Sequence, residues 1–330
     1  MDDLRIRFAK CYDLEPIMKF IDSYWKKGHI LAGNRKMFEW QYGLDEERIS
    51  FVIGEENGAI KGVLGFIPYE RAMGGDYALA LWKTIPSGRP FMGAELLMFL
   101  KKEGNARHIV CPGINLRTTE RLYRLAGMHV GKMTQWYRLN HQAQAFVIGK
   151  ICDREIPPLN CGACNYRQYS RFDQLREAFC FDKVGGVPEK TEKYFEWRYF
   201  RHPAYEYIVL GIYGKAQALG AVAVVRIQEY RKAKAIRFVD YIGDFSLFLA
   251  ATAALDSIME RVGAEYVDLY EAGVGEHILR SSGWKKVDGS GNIIPNYFAP
   301  FEQSNVDIYY SASSGHAVLF RGDGDQDRPN

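Results

Sequence analysis

A glycine-containing loop between two apolar stretches is the first place in this 330-residue sequence where residue types indicate binding chemistry. Residues 78–85 predict a strand, Gly88 and Gly93 follow it, and residues 93–102 predict a helix. The first N–H groups of a helix lack intrahelical partners, and the helix dipole adds positive charge there. Glycine lets the backbone approach an anion, and Arg89 can add a forked donor. The pattern predicts a phosphate site, with an ordinary strand–turn–helix connection as the alternative.

The loop departs from the two commonest phosphate-binding motifs. No Gly-Lys-Ser/Thr follows it, and its two glycines do not complete a G-x-G-x-x-G pattern. Thr84, Ile85 and Pro86 end the strand, and Ala94 completes the predicted anion cradle of Gly88, Arg89 and Gly93. The case for a phosphate site therefore depends on the rest of the chain.

Charge and composition exclude several classes of protein. The formal net charge is only +3 and no run of Lys or Arg occurs, so we expect no nucleic-acid partner. The N-terminus lacks the apolar segment of a signal peptide, and no 18-residue apolar run is present. We therefore predict a cytoplasmic protein without a membrane span.

The cysteines give only a weak indication of metal binding. Six cysteines in a cytoplasmic protein predict free thiols unless a metal holds them. Cys161 and Cys164 have zinc-like spacing, but a structural zinc site needs four ligands in register. We predict no metal site.

The elements of the first half predict a mixed α/β fold. Alternating or apolar stretches predict three successive antiparallel strands at 50–55, 59–69 and 76–85. A buried strand at 108–111 and a helix at 118–126 follow the loop and its helix, and a hairpin of residues 128–132 and 135–139 closes the half. Residues 141–165 contain Pro157-Pro158 and scattered Gly and Cys, which indicates a linker or crossover.

The order of elements then begins again, which predicts a duplicated domain. Phe38-Glu39-Trp40 recurs 157 positions later as Phe195-Glu196-Trp197, and Gly127 recurs 156 positions later as Gly283. We predict domains at 1–140 and 166–330, joined by residues 141–165. The second copy lacks the loop glycines and has Leu279 in the place of Tyr123, so we expect it to be degenerate.

These landmarks resemble the GNAT superfamily of N-acetyltransferases, which use acyl-coenzyme A. The resemblance rests on the opening strand with Ile6-Arg7, on the strand–loop–helix, and on the Leu-Tyr-x-x-x-Gly ending at residues 122–127. The loop departs from the family pattern Arg/Gln-x-x-Gly-x-Gly/Ala, because Phe91 occupies the middle glycine and Gly88 the Arg/Gln position. The resemblance implies two tandem copies of this α/β fold.

The resemblance also implies roles for particular residues. The loop and helix start would hold the coenzyme A pyrophosphate of acetyl-CoA or another acyl-CoA, and the preceding strand would pair with the pantetheine arm. Asn115 lies one residue before the position where the family often has a pantetheine-binding Asn. Tyr123 would protonate the thiolate that leaves when an amine attacks the thioester. The alternative is a tyrosine that packs a helix on the sheet.

A general base cannot be identified from the sequence. Glu70, Asp76, His108 and Cys111 are near in sequence, without a feature that selects one of them. Residues 323–327 alternate carboxylates like the start of a calcium loop but lack its later ligands, which favours a polar tail. Such a tail could still reach a substrate cleft.

The acceptor is predicted from resemblance alone. Tandem chains of this kind resemble bacterial cell-envelope sugar-modifying enzymes, which implies a small acceptor such as a nucleotide-linked amino sugar. We expect Asp240, on the long strand of the second half, to face that acceptor across the domain interface. Two alternatives remain open: an aminoacyl transferase of the peptidoglycan-bridge kind, and a non-catalytic protein that binds a saccharide or another protein.

Overall fold

Two mixed β-sheets flanked by helices form the protein. The computed structural model describes residues 4–86, 90–159, 165–214, 217–288 and 291–329. One sheet has seven strands and the other has a path of seven with an eighth strand beside it. The predicted mixed α/β class is confirmed.

The first half of the chain follows the predicted order closely. Its elements are β1 (Leu4–Lys10), α1 (Leu14–Phe20), α2 (Ile30–Gly33), α3 (Arg35–Tyr42), β2 (Arg48–Glu56), β3 (Ala59–Pro68), β4 (Gly75–Thr84), α4 (Met92–Glu103), β5 (Ala106–Ile114), α5 (Leu116–Leu125), β6 (His129–Lys132) and β7 (Thr134–Leu139). Asn34 is the N-cap of α3 and accepts a hydrogen bond from the Met37 N–H at 3.0 Å, which explains where this helix begins.

The second half repeats this order with small additions near its end. Its elements are β8 (Asn165–Tyr169), α6 (Phe172–Ala178), α7 (Glu192–Phe195), β9 (Ile208–Tyr213), β10 (Leu219–Tyr230), β11 (Ala233–Gly243), α8 (Phe248–Val262), β12 (Ala264–Ala272), α9 (Glu276–Ser281), β13 (Lys285–Lys286), β14 (Tyr297–Phe298), β15 (Phe301–Glu302), β16 (Tyr309–Ala312) and β17 (Leu319–Phe320). Helix α8 is the longest of these helices, with 15 residues, and its buried residues include Phe248, Leu255 and Ile258.

The two halves exchange one strand each. The first sheet has the order β1-β2-β3-β4-β5-β16-β6, and the second has β8-β9-β10-β11-β12-β7-β13. The predicted hairpin of residues 128–132 and 135–139 is therefore wrong, because β6 pairs with β16 whereas β7 pairs with β12. Each sheet is completed by a strand from the other half, which ties the halves together.

β4 and β5 separate where the predicted site begins. The two strands pair in parallel only from Gly75 to Ala78 of β4. Opposite β3, Gly65 faces Leu81 and Phe66 faces Leu79, so Ala80 is an extra residue in β4. Such a bulge bends its strand and increases its twist. The bend carries the carboxyl end of β4 away from β5 and opens a gap between them.

Helix α4 packs on this sheet and approaches β3 closely at Gly62. Met92, Leu96, Leu97 and Leu100 are buried against the strands. A Cβ added to Gly62 of β3 would lie 2.9 Å from the Met92 sulfur, so glycine at this position allows the close approach. The start of α4 is thereby fixed beside the end of β4.

Two further findings concern a membrane span and a metal site. Across the described ranges, no helix has the length and apolarity needed to cross a membrane. No cluster of three or more metal-ligating side chains occurs within those same ranges. Cys161 and Cys164 lie outside the described residues.

Candidate functional site

A cavity of about 450 Å³ lies in the gap between β4 and β5. Its walls come from the end of β4, the start of α4, the second part of β5, helix α5 and the end of the chain. The lining residues include Trp82, Thr84, Gly93, Cys111, Tyr123 and Asp325. The gap between β4 and β5 and the start of α4 therefore face the same cavity.

The start of α4 offers backbone donors to this cavity. Phe91 is the N-cap residue and makes no side-chain cap, and the first helix-type bond runs from the Glu95 N–H to the Phe91 carbonyl. The N–H groups of Met92, Gly93 and Ala94 thus precede the first intrahelical bond. Gly93 lines the cavity, and a Cβ there would lie 3.6 Å from the Trp82 indole. The geometry suits an anion at the helix start.

The other residues predicted to bind the cofactor differ in position. Thr84 lines the cavity. The Ile85 N–H donates to the Lys61 carbonyl at 2.9 Å, which continues the β3–β4 pairing, and Pro86 is exposed. Gly88 and Arg89 lie outside the described residues.

Tyr123 is buried within the wall of the cavity. It is 2 % exposed, its ring meets Trp82 edge-to-face at 5.5 Å, and its hydroxyl donates to the Cys111 sulfur at 3.2 Å. Burial raises the pKa of Tyr123 well above its usual value, and burial raises the pKa of Cys111 to about 12. Both groups are therefore neutral near pH 7, so the phenol is available as a proton donor. Tyr123 thus packs α5 on the sheet and also lines the cavity.

Asn115 also lines the cavity, but its side-chain oxygen has a structural partner. It is the N-cap of α5, and its Oδ1 accepts from the Arg117 N–H at 3.0 Å. The predicted asparagine thus lies at the site while it fixes the start of the helix that carries Tyr123.

The expectation that Asp240 faces an acceptor does not agree with its surroundings. Asp240 has no exposed surface. The Lys190 ammonium donates to one of its oxygens, and the Tyr199 hydroxyl donates to the other at 2.6 Å. Both carboxylate oxygens have partners within the protein and none of the side chain is exposed, so Asp240 presents no surface to an acceptor.

Asp325 is a site residue that sequence reasoning did not select. The tail containing it was recognised as able to reach a cleft, and Asp325 indeed lines the cavity with 47 % of its side chain accessible. Arg328 Nη1 donates to Asp325 Oδ1 at 2.6 Å. The side chain is accessible only through the cavity, whose enclosing walls desolvate the carboxylate and raise the pKa of Asp325, and Arg328 only partly opposes this effect.

Two further features of the site were missed from the sequence. Trp25, which is 44 % exposed after α1, forms another wall of the cavity. Arg117, Arg121 and Arg124 of α5 line an adjoining surface depression that shares Thr118 with the cavity. Their i, i+4 and i, i+3 spacing on α5 was the available signal, because it places them on neighbouring helix positions.

Similar folds occur among solved structures. No protein-family model and no curated protein matches the sequence. A GCN5-related N-acetyltransferase from Anabaena variabilis ATCC 29413 is 12% identical, with a TM-score of 0.56 over 94% of this chain and 72% of that one. A conserved protein of unknown function from Enterococcus faecalis V583 is 10% identical, with a TM-score of 0.55 and coverages of 94% and 72%.

A third similar structure is a GCN5-related N-acetyltransferase from Kribbella flavida. It is 9% identical, with a TM-score of 0.52 over 94% of this chain and 71% of that one. At such low identity the likeness concerns the fold, and it extends over nearly the whole chain, including both halves. The chain therefore has the fold of these GCN5-related N-acetyltransferases.

Proposed function

We propose that the protein is an acyl-CoA-dependent N-acyltransferase with one reaction site, in the cavity between β4 and β5. The observation that carries this proposal is the meeting of three features in one space: an open strand edge, an uncapped helix start and a neutral phenol. An extended pantetheine arm can pair with the strand edge, and a pyrophosphate can bind at the helix start. The phenol can protonate the leaving thiolate. The fold shared with N-acetyltransferases is consistent with this function.

The described residues fit coenzyme A at several points. β5 pairs with β16 on its far side, so its edge from Cys111 to Ile114 faces the cavity. The N–H groups of Gly93 and Ala94 would bind the pyrophosphate. Arg117 and Arg121 of α5 would provide positive charge for further phosphate, whereas Arg124 pairs with Glu120. We extend the proposal to Gly88 and Arg89 on sequence grounds. When bound, acyl-CoA supplies an acyl group activated as a thioester.

Tyr123 would act as the general acid. Its raised pKa keeps the hydroxyl protonated until a thiolate forms nearby, and Trp82 and Cys111 fix its orientation. Cys111 would assist only in positioning, since its own raised pKa keeps it a neutral thiol. A phenol held in this way can protonate a sulfur leaving group.

For the acceptor we propose an amine of a small molecule, with a nucleotide-linked amino sugar of surface-polysaccharide synthesis as the first candidate. Trp25 is consistent with a sugar, because an exposed indole at a cavity wall offers an apolar face to a pyranose ring. Such an acceptor is polar and small enough for the open cavity of about 450 Å³ to admit its amine end.

The experiment that tests the function measures free thiol released from acetyl-CoA. The purified chain would be incubated with glucosamine, with a nucleotide-linked glucosamine and with simple primary amines, and the products identified by mass. We expect amine-dependent thiol release and a product heavier by one acetyl group. A thermal shift with acetyl-CoA but no thiol release with any amine would instead favour a binding protein. Absence of any acetyl-CoA binding would refute the proposal.

A further inference from the structure

The second sheet has a gap between β11 and β12 that corresponds to the gap between β4 and β5 in the first sheet. The C-terminal tail (residues 319–329) fills this second gap, whereas the first is open. Like β4 and β5, β11 and β12 pair in parallel only along their first parts, and β11 carries an extra residue at Val239. Phe320 and Leu319 of β17 pair with Glu271 and Ala272 of β12. The Phe320 ring also lies 5.9 Å from that of Phe238 on β11. The chain therefore occupies its own second gap.

Buried charges hold the tail in this position. Arg321, with no exposed surface, donates to Asp268 of β12 at 2.5 Å. Asp323 accepts from Tyr69 of the first half at 2.8 Å and from Lys190 of the second at 3.0 Å. Removing one partner of a buried ion pair is strongly destabilising, since it leaves the other charge uncompensated. The tail is thus fixed at the junction of the halves.

A second group of charges fixes the far side of the tail. Asp327 is fully buried and accepts from Arg198 at 2.8 Å, from Tyr207 at 2.8 Å and from Arg226. Asp323 and Asp327 therefore clamp the tail on both sides of Asp325. A side chain held between two such clamps has a restricted position.

Between the clamps the tail passes along β5 into the first cavity. A Cβ on Gly324 would lie 2.7 Å from the Pro112 side chain, so only glycine permits this approach. The next residue, Asp325, lines the cavity together with Cys111 and Tyr123. Among the described residues that line this cavity, Asp325 is the single carboxylate.

We propose that Asp325 is the general base that takes a proton from the acceptor's ammonium group, and that the filled gap of the second half serves to hold it there. This inference rests on the proposed acyl transfer. It also names the acceptor as a primary amine that arrives protonated, because a carboxylate in a partly apolar cavity selects a cation. Trp25 on another wall adds a face for cation–π contact.

The proton and bond changes balance as follows. The Asp325 carboxylate removes one proton from R–NH3+, and the neutral amine forms the C–N bond as the C–S bond breaks. Tyr123 gives its hydroxyl proton to the departing sulfur, and the proton that leaves the new amide nitrogen restores the phenol. Asp325 then releases its proton to solvent. The net products are the amide, free coenzyme A thiol and one proton.

Of the four candidates for the base that the sequence offered, Glu70, Asp76 and His108 do not line the cavity, and only Cys111 does. Asp76 is 1 % exposed, accepts from Arg107 at 2.8 Å and from the Glu189 N–H at 2.8 Å, and does not line the cavity. Cys111 is a neutral thiol. Burial also favours the role of Asp325 by raising its pKa toward that of the amine it must deprotonate.

The charged and titratable groups near Asp325 come from several elements. Arg328 contacts it from the tail itself, whereas Tyr42 of α3, Lys83 of β4, Cys111 of β5 and Tyr123 of α5 surround it. The three tyrosine and cysteine groups are neutral near pH 7, since burial raises the pKa of each. A fall in turnover at acidic pH would therefore be caused by protonation of Asp325.

The test compares full-length wild type with Asp325→Asn, Asp325→Glu and the exposed control Asp307→Asn. Acetyl-CoA affinity is measured by calorimetry, and thiol release with the amine panel is measured from pH 6 to pH 10, using the best amine. We expect Asp325→Asn to bind acetyl-CoA within about twofold of wild type and to lose about 100-fold or more in turnover at pH 7. Its deficit should shrink as the pH rises, because the amine then deprotonates in solution. Asp325→Glu should retain part of the activity, and Asp307→Asn all of it.

Three results would overturn the inference while leaving acyl transfer intact. One is turnover by Asp325→Asn within about threefold of wild type at pH 7. Another is a deficit that does not change with pH, and the third is a parallel loss of acetyl-CoA binding, which would mark Asp325 as structural. Failure of the wild type to bind acetyl-CoA or to acylate any amine would instead refute the proposed function, and this inference with it.

Discussion

The indole rings of Trp40 and Trp197 stack with centroids 4.5 Å apart, although they occupy equivalent places in the two repeats. The Trp197 indole N–H also donates to the Trp40 carbonyl at 3.0 Å. Contact between equivalent residues is what a twofold relation between two copies produces. The stack and the exchange of β7 and β16 indicate that the halves are joined as a dimer-like pair within one chain.

This stack should couple the stabilities of the halves. In a double-mutant cycle with Trp40→Leu and Trp197→Leu, we expect a coupling free energy of about 1 kcal/mol, because aromatic pairs add roughly 0.5–1.5 kcal/mol beyond area burial. Urea unfolding at pH 7 provides the measurement. As a control, Trp40→Leu combined with Phe301→Leu, which stacks on Tyr230 instead, should be additive within about 0.5 kcal/mol. Full additivity in the tryptophan pair would contradict the expectation.

Tyr123→Phe should separate binding from chemistry. The change removes only the hydroxyl, whose neighbour is the Cys111 sulfur, so packing against Trp82 persists. We expect acetyl-CoA affinity to hold within about twofold and turnover to fall by about two orders of magnitude or more. Calorimetry and thiol release measure the two effects. Tyr166→Phe on β8 is the control, and unchanged turnover by Tyr123→Phe would leave Tyr123 with only a packing role.

Gly93→Val should close the helix start to a phosphate. The added Cβ would lie 3.6 Å from the Trp82 ring, which is an ordinary contact, and the two methyl groups beyond it would narrow the cavity. We expect acetyl-CoA to raise the melting temperature of the wild type but not that of Gly93→Val, since stabilisation by a ligand follows its affinity. Gly33→Val, where a Cβ meets nothing within 4 Å, is the matched control. Equal stabilisation of both variants would place the cofactor elsewhere.

Asp327 should make stability depend on pH. Burial alone would raise its pKa, but Arg226 and Arg198 outweigh burial and hold the pKa of Asp327 below its usual value. The ionised group therefore stabilises the fold above its unfolded pKa of about 4, and this contribution is lost as the pH falls through the lower folded value.

We accordingly expect Asp327→Asn to lower the free energy of unfolding by about 3–5 kcal/mol at pH 7 and by clearly less near pH 2. Urea unfolding at both pH values measures the difference. Asp307→Asn, whose partner Lys132 is exposed, should change stability by less than about 1 kcal/mol at either pH. A loss that is the same at both pH values would rule out the charge as its cause.

The sequence allowed prediction of most elements but not of their pairing across the halves. Local periodicity predicted α4 and the strands before the loop, because an apolar pattern indicates which face is buried. The same pattern in β7 suits either sheet, so the exchange with β16 could not be derived. The tail was also ambiguous, since alternating Asp and Gly is typical of solvent-exposed segments. Its burial depends on Arg198, Arg226 and Lys190, which are more than 100 residues away.

The last prediction concerns stoichiometry, and it follows from the two gaps. The first gap is open and has Gly93 and Tyr123 on its walls, whereas the second contains β17 and has Leu279 buried in place of a phenol. Coenzyme A could enter the second gap only if it displaced Phe320 and the buried Arg321, which would remove one of the two arginines that pair with the buried Asp268. We expect calorimetric titration to give one acetyl-CoA per chain, and Gly93→Val to abolish that site without revealing another. Two sites of equal affinity would contradict the assignment of the second half as a support for the first.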